Sequence, residues 1–268
     1  MHLFNRAKHA LVLPLLAIVS LTGCSKDDGN GNPAGSPPLS DGYLWVYHAG
    51  DSVKVVFADL PKIVTEGEEA IQLEEFIDTD LIPMFVDKDE NEWEARLLYS
   101  YQILGEDGFC ASSKGYRNNI WSHMQMGHIL TASRRVVFPD AKIDLPGAYN
   151  IKATRRIRIH RKIDVVAPDT ADFIETSQLT PVSVTNWDGQ PEDAIALRDL
   201  ITPLVEHPDN YNYDLVSLDG YSPDGVLTWT QFQTGYWLLS SERTIFTDPD
   251  LASGKYRLKV LEKVLVTE

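Results

Sequence analysis

The second half of this chain repeats the first, and that repeat limits the folds open to it more than any other feature. Each copy opens with an amphipathic block. In the first it reads Glu68-Glu69-Ala70-Ile71-Gln72-Leu73-Glu74-Glu75-Phe76-Ile77, and in the second Glu192-Asp193-Ala194-Ile195-Ala196-Leu197-Arg198-Asp199-Leu200-Ile201. Asp107-Gly108-Phe109 is answered by Asp219-Gly220-Tyr221. Trp121, Gln125, Gly127, Ser133, Arg135 and Phe138 are answered, at one constant offset, by Trp229, Gln233, Gly235, Ser241, Arg243 and Phe246. Gly147, Tyr149, Ile151 and Lys152 match Gly254, Tyr256, Leu258 and Lys259. Two related domains are therefore expected, at residues 43–165 and 166–268, each of about 110 residues and so of ordinary domain size.

Local patterns predict an α+β fold of mixed sheets for each copy. Residues 43–47 and 53–57 are β-branched and aromatic, as strands are. Residues 68–77 carry a helix-like apolar stripe of Ala70, Ile71, Leu73, Phe76 and Ile77. Residues 97–104 read as a strand ending at the Asp107-Gly108 turn. Residues 120–130 read as a helix with Trp121, Met124 and His128 on one side, and residues 135–138 as a short strand. Residues 151–163 alternate: Ile151, Ala153, Ile157, Ile159 and Ile163 face one way, and Lys152, Arg156, Arg158, His160 and Lys162 the other. Residues 164–180 are expected to connect the copies, with a turn at Pro168-Asp169.

The first residues form a targeting segment. Arg6 and Lys8 precede an apolar run of roughly a dozen residues, too short to span a bilayer about 30 Å thick. The run ends in Leu21-Thr22-Gly23-Cys24, which resembles the lipobox of bacterial lipoproteins. That resemblance implies cleavage after residue 23 and fatty-acyl (palmitate-type) lipidation of Cys24. Ser25 then implies sorting to the outer membrane, facing the periplasm of the cell envelope. Residues 24–42 are rich in Gly, Asn, Pro, Ser and Asp and read as a flexible tether. With Cys24 acylated, Cys110 is left alone, so no internal disulfide is expected. The formal net charge of −15 argues against a nucleic-acid partner, which needs clustered cations.

The order of elements resembles the molybdopterin-binding domain of the sulfite oxidase family. In the second copy the resemblance rests on Gly189 with the block from Ala194 to Ile201, on Asp219-Gly220-Tyr221, on Gly235-Tyr236-Trp237-Leu238-Leu239 and on Gly254-Lys255-Tyr256-Arg257-Leu258-Lys259-Val260. In the first it rests on Leu60-Pro61, Ile71-Gln72-Leu73 and Asp107-Gly108-Phe109. The fold it implies is a tandem pair of such domains. The family's metal is held by a Cys in a C-x-G-N loop before the first helix, and neither residues 62–67 nor residues 178–189 contain one. No molybdopterin, or other cofactor, is therefore expected. Asn5-Arg6-Ala7-Lys8 also lacks the paired arginines by which enzymes of that family are exported folded.

Other residue groups carry donor atoms suited to chemistry. His123, Met126 and Cys110 are the candidate metal ligands, since imidazole and thioether donors suit copper. On one helix, however, His123 and Met126 share one side and Met124 and His128 another, so the four cannot converge. The duplicated Trp121, Gln125 and Arg135, with Trp229, Gln233 and Arg243, are a candidate pocket. Against this, the Trp would serve as core and the Arg as a cap or ion-pair partner. Asp87, Asp89, Asn91 and Glu94 have calcium-loop-like spacing, but Glu92 stands where an EF-hand needs Gly and Leu98 where it needs Glu. The cations of residues 152–162 either protect a strand edge, the favoured reading, or dock an anionic surface such as lipid headgroups or an acidic partner. The sequence contains no G-x-S-x-G, H-E-x-x-H, C-x-x-C-H or phosphate-binding glycine loop.

A non-catalytic envelope lipoprotein that binds or scaffolds a partner is the expectation. The alternatives are a redox enzyme or electron-transfer accessory, and a small-ligand-binding lipoprotein with its cleft between the copies.

Overall fold

In the first copy, Tyr43–His48 (β1) and Asp51–Val56 (β2) form a hairpin closed by Ala49 and Gly50, both at positive φ. Ile63–Thr65 (β3) turns at Glu66-Gly67 into Glu68–Gln72 (β4). A ribbon of Phe85–Val86 (β5) and Glu92–Trp93 (β6) precedes Tyr99–Gly105 (β7). Trp121–Met126 (α1), His128–Leu130 (β8), Val136–Val137 (β9) and Thr154–Ala167 (β10) follow. The second copy continues with Thr170–Glu175 (β11), Val182–Thr185 (β12), Pro191–Ala196 (β13) and Arg198–Ile201 (α2). Then come Asn212–Ser217 (β14), Leu227–Thr228 (β15), Trp229–Phe232 (α3), Gly235–Leu238 (β16), Thr244–Phe246 (β17) and Leu261–Thr267 (β18).

This computed structural model describes residues 42–82, 84–86, 90–139 and 145–268. Cys24, the targeting segment, residues 24–41 of the tether, and Asp87 and Asp89 of the acidic loop lie outside them. The architecture is α+β, with mixed sheets and few helices, 41% strand against 20% helix.

The repeat is structural as well as sequential. One four-stranded sheet runs β3-β4-β8-β9, and its counterpart runs β12-β13-β16-β17 in the same order. The remaining strands of both copies meet on β10. Its first half pairs parallel with β1, from Trp45↔Arg156 to His48↔Ile159, and antiparallel with β7. Its second half pairs parallel with β18 from Asp164↔Lys263, and antiparallel with β11. The hairpin β1–β2 thus has its counterpart in the second half of β10 with β11. One strand closes the first copy and opens the second. Its inward residues divide accordingly: Ile157 and Ile159 enter the first core, Ile163 and Val165 the second.

The expected boundary between residues 165 and 166 falls inside β10. Residues 164–180 are no connector. Pro168-Asp169 does turn the chain, but between two paired strands, because the β-branched and aromatic residues on either side continue the ladder.

Two expected helices are corrected as well. Residues 68–77 are strand β4 followed by a 3-10 turn at Leu73–Phe76, and only the latter half of the second block is helical, as α2. Ala70 and Ile71 point to opposite faces of β4 and are both fully buried because both faces are covered, Ile71 within the first core and Ala70 against Leu130 and Val137. Residues 120–130 split at Gly127 into α1 and β8.

Arg161 clamps the junction. Its guanidinium donates to the carbonyls of Leu98 in the first copy, at 3.3 Å, and Leu261 in the second, at 2.6 Å. It also stands 5.1 Å over the Trp237 ring. Leu98, Leu218 and Val260 add a small apolar cluster across the same joint.

Candidate functional site

The residues that recur in both copies make matched contacts. Gly127 and Gly235 sit in the same cage. A Cβ on Gly127 would lie 2.5 Å from Leu73 Cδ1 and 2.6 Å from Phe138 Cε1, and one on Gly235 2.6 Å from both Leu197 Cδ1 and Phe246 Cε1. Their carbonyls accept from Leu73 N at 2.9 Å and Leu197 N at 3.0 Å. Glu68 Oε1 accepts from the backbone N–H of Ala132 and Ser133; Glu192 Oε1 accepts from Ser241 N and the hydroxyls of Ser240 and Ser241. The Asp107 and Asp219 carboxylates cap their turns through Phe109 N and Tyr221 N, with Gly108 and Gly220 at φ near 80°. Tyr101 and Tyr213 donate their hydroxyls to the carbonyls of Arg96 and Pro208, five residues back, and lie 5.7 and 5.5 Å from Trp121 and Trp229. Burial pushes both phenols up, that of Tyr213 to about 12.

The six pocket candidates lie three in each copy, in differing surroundings. Trp121 is buried in the first core and Trp229 packs half-buried on the second. Gln125 is exposed, its carbonyl accepting from Gln72 Nε2, and Gln233 is half-buried. Arg135 pairs with Glu66. Arg243 stands 5.9 Å over Trp187, sharing that ring with Arg257.

The metal candidates also have other neighbours. The His123 ring meets Phe138 and Tyr149 edge-on at 6.4 and 5.8 Å, and burial holds its pKa below the ordinary range. Cys110 is fully buried, its Sγ within 3.1 Å of Ser112 Oγ and 3.3 Å of Ser113 Oγ. Met126 ends α1 half-buried, and His128, placed on β8, is not on the helix with His123. Met124 and Phe232 fill equivalent core positions. Among the described residues no three His, Cys, Asp or Glu side chains group as a metal site. The two segments in which the resemblance to the sulfite oxidase family would place a thiolate are not suited to that role. Residues 62–67 are β3 and the turn into β4, and residues 178–189 are β12 with its flanking turns; neither presents a sulfur donor.

A polar cavity lies at the junction of the copies. About 250 Å³ in volume, it is lined by Tyr116, Arg117 and Asn118 of the first copy and Phe173, Glu175 and Gln178 of the second. Glu175, only 5% exposed, accepts from Ser100 Oγ at 2.6 Å, Asn118 Nδ2 at 2.7 Å and Gln178 Nε2 at 3.0 Å. Arg117 pairs with Asp172 and stands 5.7 Å over Phe173. Such a volume falls below the ~300–1,000 Å³ of pockets for drug-sized ligands, so only a small polar molecule fits. An apolar cavity of about 190 Å³ lies in the second copy, between Trp187, Phe246, Leu251, Tyr256 and Arg257.

No protein-family model, curated protein or solved structure matches this chain. The junction cavity had no sequence signal. Its walls are brought together only because β10 serves both copies, and neither wall belongs to a repeated position.

Proposed function

We propose that this protein is a non-catalytic lipoprotein of the bacterial cell envelope, lipidated at Cys24, in which two fused domains of degenerate sulfite-oxidase-like fold present binding surfaces to a partner. One observation carries the reading. The side chains that the two copies share are committed to holding each copy together: the Gly127 and Gly235 cages, the Glu68 and Glu192 turn clamps, the Asp107 and Asp219 caps, and the Tyr101–Trp121 and Tyr213–Trp229 pairs. What was kept through duplication is a scaffold. Fatty-acid labelling in cells tests the anchor: label is expected in the wild type and lost in Cys24→Ala. Protein purified from its own envelope tests the rest. Stoichiometric molybdenum together with a redox activity would overturn the proposal.

The junction cavity favours a second reading, a small-ligand-binding lipoprotein. A thermal-shift screen of small polar envelope metabolites should then give hits that Glu175→Gln abolishes. A screen without hits removes this reading.

A further inference from the structure

The face of β1 that points away from the first core carries Tyr43, Trp45 and Tyr47 in a row. Leu44 and Val46, between them, are fully buried on the opposite face. Trp45 and Tyr47 are 37% and 36% exposed, and adjacent rings along the row stand 6.4 and 6.5 Å apart. Cations flank the row on both sides. The register places Lys54 of β2 opposite Trp45, with its Nζ 3.9 Å from the Tyr43 ring centre. On the other side it places Arg156 opposite Trp45 and Arg158 opposite Tyr47. Among the described residues, no carboxylate lies within ion-pairing distance of Lys54, Arg156 or Arg158. In a protein of net charge −15, this face thus sets three cations without an ion-paired carboxylate, among the described residues, beside a row of aromatic rings.

The fold does not require these aromatic residues. Arg156 on the first half of β10 corresponds to Lys263 on β18, so the ladder pair Trp45↔Arg156 corresponds to Asp164↔Lys263. Tyr43, Trp45 and Tyr47 therefore correspond to Lys162, Asp164 and Val166. In the second copy β10 itself carries no aromatic side chain on that face, where β11 sets the single ring of Phe173 opposite Asp164. The exposed aromatic row is thus a feature of the first copy alone among the described residues.

We infer that this face is a docking surface for the anionic phospholipid headgroups of the membrane that holds the lipid anchor. Trp and Tyr settle where one end of a side chain is apolar and the other wet, and Lys and Arg near an anionic leaflet are drawn to it. The inference rests on the lipoprotein reading: acyl chains on Cys24 would keep the folded part at the bilayer surface, at a high effective concentration.

The test uses the processed chain carrying Cys24→Ser, which contributes no acyl chain and retains all of residues 42–268. It is sedimented with vesicles of phosphatidylcholine, with and without phosphatidylglycerol. Binding is expected only to the phosphatidylglycerol vesicles and should weaken with salt. Arg156→Gln with Arg158→Gln should weaken it about thirtyfold, each cation near an anionic surface being worth about fivefold. Trp45→Asp with Tyr47→Val, the residues the second copy carries, should abolish it while leaving circular dichroism and Tm unchanged. Arg198→Gln with Lys62→Gln, charges on other surfaces, should bind as wild type. Absence of binding by the wild type, equal binding by all variants, or binding to an acidic polysaccharide but not to vesicles each overturns the inference. Fatty-acid labelling at Cys24 reports separately on the anchor.

Discussion

Replacing Gly127 by alanine isolates a single steric contact. The backbone there has φ −88°, which any residue can adopt, so no left-handed strain enters. The added methyl would meet Leu73 Cδ1 at 2.5 Å and Phe138 Cε1 at 2.6 Å, well inside van der Waals distance. Overpacking of this kind costs about 1–3 kcal/mol. Loss of glycine's freedom in the unfolded chain gives back about 0.4–1 kcal/mol. A net loss of about 1–2 kcal/mol is expected, a fall in Tm of roughly 2–8 °C for a folded part of about 200 residues or more. Urea unfolding followed by circular dichroism measures it. Phe138→Leu removes the ring edge that the methyl strikes, so the double variant should be about 1 kcal/mol better than the sum of the singles. Gly235→Ala should behave alike, because Leu197 and Phe246 form the same cage. A Gly127→Ala protein as stable as wild type, or additive with Phe138→Leu, would refute the idea that the repeated Gly, Leu and Phe form one packing unit.

Two further outcomes concern pH. Four hydrogen bonds, led by that from Ser240 Oγ, hold the Glu192 carboxyl below the ordinary glutamate range, so its stabilisation is complete above about pH 4.3 and fades as pH falls through the depressed value. Glu192→Gln should lower Tm at neutral pH, and the gap from wild type should close in acid; a gap independent of pH would contradict this. Burial depresses the His123 pKa, so folding loses stability as pH drops below about 6.5, where the unfolded chain takes up a proton that the folded protein refuses. His123→Phe, set against Phe138 and Tyr149, should shrink the fall in Tm between about pH 7.5 and 5 without removing it, since burial depresses His48, His128 and His160 too; an unchanged fall would count against the assignment.

Much of the scaffold was legible in the sequence because duplication marks it. The Gly, Glu, Trp and Asp-Gly positions that recur are those that make matched contacts. Strand alternation in β10 was also legible, with Ile157, Ile159 and Ile163 turned inward. The block of residues 68–77 looks helical in sequence because a five-residue strand running into a 3-10 turn spaces its apolar residues as a short helix would. The hairpin of β10 and β11 looks like a connector because a strand shared by two copies has no boundary to find. The β1 face stayed hidden for another reason. In Tyr43-Leu44-Trp45-Val46-Tyr47 every residue is apolar or aromatic, so periodicity cannot say which side is outward. Only the pairing with Val53, Lys54 and Ile157 decides it.

The shared strand also sets a counting rule for this protein's history. Arg156, in its closing role, and Asp164, in its opening role, point to the same side of β10, and the interval between them is even. Side chains alternate with a period of two, so the parity of that interval fixes whether the two copies share a common front. Losing or gaining one residue between them would turn one copy over relative to the other. If the copies instead kept their present sides, it would bury Asp164 in place of Ile163 or Val165, whereas a change of two residues would leave the front intact. Across relatives of this chain, length variation within β10 should therefore come in twos.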